Sequence, residues 1–138
     1  MKINVMLDEN SYMPEKAHKE DAGFDLRTPI EITVEGGNHV IIDTGVHIEI
    51  PEGYVGMIKS KSGLNVKYNL VGEGVIDAGY TGSIRVKLYN HGRESYRFRK
   101  GDKITQIVIL PIPDVELELT NNFKETDRGN NGFGSSGK

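Results

Sequence analysis

Gly72-Glu73-Gly74-Val75-Ile76-Asp77-Ala78-Gly79-Tyr80-Thr81-Gly82-Ser83-Ile84-Arg85-Val86-Lys87-Leu88-Tyr89-Asn90 sets two apolar runs either side of a glycine-punctuated turn that holds one acid and one aromatic. Ile84, Val86 and Leu88 alternate with Ser83, Arg85, Lys87 and Tyr89, the period of a strand with one buried face. Gly74, Gly79 and Gly82 mark positions that need a positive φ or close approach by another group. The stretch reads as a β-hairpin carrying a site, with Asp77 and Tyr80 emerging near one end. An ordinary turn is the plainer account, with Asp77 bonding local N–H groups and Tyr80 packing. The rest of the chain decides between them.

Outward from this stretch the same period recurs. Ile3, Val5 and Leu7 alternate with polar neighbours; Ile30, Ile32 and Val34 do so up to Gly36-Gly37; Val40 to Asp43 resumes the pattern, and Val46, Ile48 and Ile50 carry it to Pro51. Tyr54 to Ile58 follows. Beyond the central stretch, Tyr96 and Phe98 alternate with arginines before Gly101-Asp102. Ile104 to Leu110 is nearly all apolar, and Val115, Leu117 and Leu119 alternate with glutamates. Short strands spaced about 8 to 12 residues apart, with turn signals between, predict an all-β barrel or double-sheet sandwich. Ser11 to Glu20 is a polar loop, and Ser62 to Leu70 is the one candidate helix, with Ser62 as its N-cap.

Composition narrows the function. The 138 residues suit a single domain with a sizeable core. There is no cysteine, which removes disulfides and thiolate metal sites and suits a reducing, intracellular setting. A net charge of −3 gives no electrostatic case for nucleic acid, and the basic run from Arg93 to Lys103 reads as a solvated strand and turn. No stretch has the length of a membrane span, and the N-terminus lacks an apolar signal core, so a soluble protein with no membrane partner is expected. The histidines, His18, His39, His47 and His91, lack metal-ligand spacing and read as surface residues.

Four further stretches place polar groups between glycines. Asp21-Ala-Gly-Phe-Asp25-Leu carries a carboxylate just past a glycine. Gly56-Met-Ile-Lys-Ser-Lys61-Ser62-Gly63-Leu64 ends in a cation and a hydroxyl where the helix would begin, an arrangement suited to an anion. Gly101-Asp-Lys-Ile-Thr-Gln106 sets an amide on an apolar strand. The last twelve residues, 127–138, are rich in glycine, asparagine and serine with one aromatic, Phe133. This tail satisfies G-x-G-x-x-G and G-x-x-x-x-G-K, yet it lacks the following helix those phosphate loops require. It reads as a disordered tail or a flap, with Arg128, Ser135, Ser136 and backbone N–H groups as phosphate donors.

Taken in order, DAGFDL from Asp21, GMIKSKSGL from Gly56, GEGVIDAGYTG from Gly72, GDKITQIVI from Gly101 and RGNNGFGSSG from Arg128 resemble the five motifs of the trimeric dUTPase family. The resemblance implies a jelly-roll-like β-barrel over 1–126 and an arm over 127–138 that closes on a neighbour's site. It implies a homotrimer with shared sites that converts dUTP to dUMP and pyrophosphate by Mg²⁺-assisted attack of water on the α-phosphate. Such an activity keeps uracil out of DNA and supplies dUMP for dTMP synthesis, in the cytoplasm.

Carried over residue by residue, the resemblance makes Asp77 the base that holds the 3′-hydroxyl and deprotonates the attacking water. Tyr80 packs under the deoxyribose and excludes a 2′-hydroxyl. Backbone groups of Gly74, Val75 and Ile76 read the uracil edge, and Phe133 and Gly134 cover the base. Lys61, Ser62, Gly63 and Gln106 hold phosphates; Arg128, Ser135 and Ser136 grip the far end of the triphosphate; Asp25 positions hydrated Mg²⁺. These roles suit phosphoryl transfer, which needs positioning and charge neutralisation more than covalent chemistry. Backbone readout suits the base, because cytosine reverses donor and acceptor, and an unpaired buried group rejects such an analogue by roughly 10⁴.

The family more commonly has arginine where Lys61 stands and alanine at Asn65 and Thr105. Lysine keeps the charge and loses the planar fork. Two other readings compete. A dCTP deaminase, or a bifunctional deaminase and diphosphatase, of the same fold would need a glutamate at the base, and Glu73 is the one acid nearby. A non-catalytic nucleotide-binding module would have no use for Asp77 or the arm.

Overall fold

The structure, a computed structural model, describes residues 1–137. It is nearly all β: β1 (Val5–Leu7), β2 (Gly23–Arg27), β3 (Ile32–Val34), β4 (His39–Asp43), β5 (Val46–Ile48), β6 (Tyr54–Ser60), one helix α1 (Ser62–Tyr68), then β7 (Leu70–Gly72), β8 (Gly74–Ile76), β9 (Arg85–Asn90), β10 (Tyr96–Phe98) and β11 (Lys103–Pro111). Every pairing is antiparallel. A four-stranded sheet runs β2-β11-β6-β8, a three-stranded sheet runs β4-β9-β7, and β1-β5 and β3-β10 form two-stranded ribbons. This is the all-β architecture expected from the pattern of short strands, of the jelly-roll type that the resemblance implies. No helix among the described residues is long and apolar enough to cross a membrane.

The alternation in the sequence accounts for the core. Ile84, Val86 and Leu88 turn inward with Ile42, Val46, Leu70, Phe98 and Ile107, all at most 1 % exposed. Arg85 and Tyr89 stay outside, as period two requires. One break in that period shapes the site. The register of β11 against β2 shifts between Lys103 and Thr105, so Ile104 is an extra residue and Ile104 and Thr105 are both buried. A bulge of this kind re-aims the side chains beside it. It brings Lys103 onto the same side of the strand as Gln106.

Three expectations are corrected. The stretch from Gly72 to Asn90 is not a simple hairpin, because β8 pairs with β6 while β9 pairs with β7 and β4. The chain changes sheets at Glu73, and residues 77–84 are too long a connection for a tight β-turn to join β8 to β9. Ser62 is not the N-cap: Lys61 holds that place with extended backbone, and no side chain caps α1. The alternation at Val115, Leu117 and Leu119 forms no strand. Those residues are 69 %, 95 % and 98 % exposed, and no strand among the described residues pairs with them.

Candidate active site

The motif residues fall into three groups. The first gathers where β2, β6 and β11 adjoin. Gln106 pairs in register with Asp25 on one side and Lys59 on the other. Its amide N–H donates to the Ser60 carbonyl at 3.0 Å. Gly23 leaves the space this side chain needs, since a Cβ there would stand 2.3 Å from the Gln106 Oε1. Asp25 is 4 % exposed. Lys61 Nζ donates to its Oδ1, and Lys103 Nζ lies 2.9 Å from its Oδ2. Burial alone raises this carboxyl's pKa, but hydrogen bonds and charge from the two ammonium groups outweigh it, and the carboxyl sits below its usual value. The result is a buried carboxylate beneath two lysines whose side chains stay partly open to solvent. Ser62 and Gly63 follow Lys61 in the first turn of α1, where backbone N–H groups have no partner inside the helix.

The second group runs from Gly74 to Gly82. β8 is an edge strand, so one side of its backbone bonds β6 and the other faces no strand. Val75 is 58 % exposed on it. The chain then turns at Asp77-Ala78-Gly79-Tyr80, with Tyr80 N donating to Asp77 O at 3.2 Å and Gly79 at φ +87°. A positive φ at that third position is the signature of a type II turn, and explains the glycine. Tyr80 lies across Gly82, where a Cβ would meet the ring oxygen at 2.5 Å, and its hydroxyl donates to Ser83 O at 2.9 Å. Asp77 is exposed, and no side-chain hydrogen bond reaches its carboxylate among the described residues.

The third group is the arm. Every residue from Pro113 to Gly137 is exposed, and Phe133 stands fully clear of the barrel. Its hydrogen bonds are local: Arg128 Nε donates to Asn131 O at 2.9 Å, Asn131 N to Arg128 O at 3.0 Å, and Ser135 N to Gly132 O at 3.0 Å. Lys138, the last residue of the expected arm, lies outside the described residues.

The strand register separates the groups. Ile76 pairs with Gly56 and Gly74 with Ile58, so Asp77 falls opposite Val55 while Lys61 lies past the far end of β6. At about 3.3 Å per residue along a strand, Asp77 and Lys61 of one chain are about 20 Å apart. The structure therefore brings together Asp25, Lys61 and Gln106, and separately Gly74 to Tyr80, but not the two sets, and it leaves Arg128, Phe133, Gly134, Ser135 and Ser136 apart from both. Sequence reasoning missed Lys103, whose place depends on the bulge at Ile104. His47 lies at the surface, as read from the sequence, but its ring is held on both sides, by Thr81 and Asp8, which the sequence did not announce.

Comparison with known proteins agrees with this architecture. The family model described as dUTPase matches residues 9–137. The deoxyuridine 5′-triphosphate nucleotidohydrolase of Clostridium tetani is 41 % identical over 136 residues, covering 96 % of this chain and 94 % of that protein. The mouse protein of the same name is 37 % identical, covering 97 % and 83 %. The dUTPase of Staphylococcus bacteriophage 80alpha, solved with dUPNHPP, superposes with a TM-score of 0.93 at 35 % identity and 99 % coverage of each chain. A mutant dUTPase from phage phi11 of S. aureus, solved with a structural Mg(II) ion, superposes at 0.84 and 33 % identity, covering 91 % of this chain and all of that one. By both sequence and fold, the chain belongs to the dUTPase family.

Proposed function

We propose that this chain is a dUTP diphosphatase that cuts dUTP to dUMP and pyrophosphate, with Asp77 as its base. The observation that carries the reading is the continuity of Gly74 to Tyr80. A free strand edge, a carboxylate and a sugar-sized aromatic face follow one another within seven residues, in the order base reader, proton acceptor, ribose platform. The edge backbone of Gly74, Val75 and Ile76 offers donors and acceptors fixed by the sheet, and uracil matches a fixed set that cytosine reverses. The Tyr80 ring, pinned on Gly82, would pack under the deoxyribose and exclude a 2′-hydroxyl.

In the reaction Asp77 takes a proton from a water, whose oxygen forms the new bond to the α-phosphorus. The bond from that phosphorus to the bridging oxygen breaks, and pyrophosphate leaves. Lys61 and Gln106, with the amides of Ser62 and Gly63, hold the phosphates, while Arg128, Ser135 and Ser136 of the arm bring further donors and Phe133 and Gly134 cover the base.

Among the described residues no three acids or histidines stand close enough to cage a metal. A magnesium carried in by the triphosphate suits such a site, since Mg²⁺ keeps several waters and favours phosphate oxygens; Asp25, buried and engaged by Lys61 and Lys103, would bond those waters once the two lysines turn toward the phosphates. Bound there, it would neutralise charge on the phosphates.

The same geometry supports a homotrimer with shared sites. Asp77 cannot reach the Lys61 group of its own chain, and the arm touches neither, so a complete site takes parts from several copies. The enzyme would act in the cytoplasm, on the free nucleotide pool. The deaminase reading gains nothing, because Glu73 is engaged by Lys59 at 3.0 Å on the exposed surface.

Pyrophosphate release with Mg²⁺ from dUTP, dCTP, dTTP and UTP tests the proposal. Release from dUTP alone is expected, reduced roughly a thousandfold by Asp77→Asn and nearly abolished by truncation before Arg128. No release from dUTP would overturn it, and ammonia from dCTP would restore the deaminase.

A further inference from the structure

The loop that carries Asp77 and Tyr80 rests on the connection between β4 and β5. Ser83 Oγ donates to Asp43 Oδ1, and Thr44 Oγ1 donates to Ile84 O at 2.6 Å. One anchor differs in kind. His47 on β5 places Nδ1 2.7 Å from the carbonyl of Thr81, the residue after Tyr80, and Nε2 3.0 Å from Asp8 Oδ1. A carbonyl and an ionised carboxylate only accept. A neutral imidazole has one N–H and serves one of them; an imidazolium serves both.

We propose that His47 is a positioning residue for dUTP hydrolysis: as an imidazolium bridging Asp8 and the Thr81 carbonyl, it holds the loop that presents Asp77 and Tyr80. This rests on the function proposed above. The charged groups around the ring agree with it. Asp8 lies at the end of β1 and Asp43 at the end of β4; Glu49 lines the same hollow beside the ring, and Arg85 on β9 faces Asp43 at 3.7 Å and tempers it. The His47 pKa is raised above its usual value, first by the bond to the Thr81 carbonyl and then by that to Asp8, with burial opposing. A raised value means that the double tether is complete at low pH and is lost as pH rises through the folded-state pKa. Of the loop's anchors this imidazole alone titrates near neutrality. Asp43, whose carboxyl is lowered by its bonds from Ser83 and Gly45, stays ionised throughout.

The test is steady-state hydrolysis of dUTP between pH 5.5 and 9 by the full chain, beside His47→Gln and Asp8→Asn, with NMR of the Thr81 carbonyl carbon and the His47 ring. In the wild type kcat should fall about fivefold on the alkaline side, the worth of one solvent-exposed hydrogen bond to the loop, while KM moves less than about twofold. The Thr81 carbonyl shift should follow the midpoint of the His47 ring. Asp8→Asn should move both to lower pH. His47→Gln, which cannot titrate, should lose that limb. A limb unchanged in His47→Gln, or a Thr81 carbonyl that stays flat while His47 titrates, overturns the role of His47. Absence of dUTP turnover by the wild type would overturn the function itself, which the carbonyl titration distinguishes from failure of the tether.

Discussion

Asp77 stands about 20 Å from Lys61 of the same chain, because the register of β8 on β6 sets it opposite Val55, at the far end of the strand that leads into the lysine. No side-chain rotation closes such a gap. If one site draws its base, its phosphate donors and its arm from different copies, two inactive variants should rescue each other. Chains carrying Asp77→Asn and chains truncated before Arg128, unfolded together and refolded as an equal mixture, should regain activity at about a quarter of the sites, the fraction that inherits an intact Asp77 from one copy and an intact arm from another. Pyrophosphate release by the mixture checks this. A mixture as inactive as its parents would show that Asp77 and the arm of one site come from the same copy.

Gly82 should matter for its lack of a side chain. A Cβ there would meet Tyr80 Oη at 2.5 Å and Cζ at 2.6 Å, so the ring has to lift from the loop. Gly82→Ala is expected to lower kcat/KM for dUTP by about tenfold or more, as misplacement of about an ångström does elsewhere. Because the ring is the proposed barrier to a 2′-hydroxyl, the preference for dUTP over UTP should narrow in the same variant. Paired kcat/KM values for the two substrates decide the point. A loss of rate with an unchanged preference would place the ribose discrimination elsewhere.

The barrel was legible because its signal is periodic. Ile84, Val86 and Leu88 had to be buried together once their neighbours were polar, and they are. Strand partnership carries no such signal. Val75 and Val86 look equally strand-like, but one pairs with Met57 of β6 and the other with Ile42 of β4, in different sheets, and the change of sheet at Glu73 depends on packing rather than local preference. The strand expected at Val115 to Leu119 shows the same limit, since alternation marks a segment able to pair but supplies no partner edge.

Residues of the candidate site were legible where the chemistry lies in contiguous strings, as from Gly74 to Tyr80. Lys103 reaches Asp25 only through the extra residue at Ile104, and His47 reaches Thr81 only through the approach of β5 to the loop. A lone lysine or histidine in sequence announces neither.

The Asp25 carboxylate should make the fold acid-sensitive. Its pKa lies below the usual 3.8, with burial opposing and the hydrogen bonds and charges of Lys61 and Lys103 prevailing. A lowered folded-state pKa means a stabilising contribution that is complete above 3.8 and is lost as pH falls through the folded value. Asp25→Asn removes the charge and leaves two lysines facing an amide, which should cost about 3 kcal/mol at pH 7, as breaking a buried ion pair does. The variant should also lose part of the decline in stability below pH 3.8. Denaturant midpoints of both proteins at pH 7 and pH 3 measure the two effects, and equal losses at both pH values would show that Asp25 acts through packing rather than charge.

Thr105 carries the one buried side-chain polar atom without a hydrogen-bond partner among the described residues, its Oγ1, at a position fully enclosed. Its Cγ2 packs against Gly72, where a Cβ would stand 2.6 Å away, so the methyl fills the space beside that glycine while the hydroxyl bonds nothing. Thr105→Val keeps that methyl and replaces the orphan donor by an apolar group of similar shape. Removing an unsatisfied buried hydroxyl should stabilise the protein by about 1 kcal/mol, which for a chain of this length raises Tm by about 3 °C. Thr105→Ala relieves the same hydroxyl but opens a methyl-sized void, and should gain less than the valine variant or lose stability. Thermal unfolding of the three proteins at one fixed concentration separates these cases, since assembly makes Tm depend on concentration. A valine variant that melts below the wild type would mean that the hydroxyl is satisfied in the assembled protein, by a water or by a second copy.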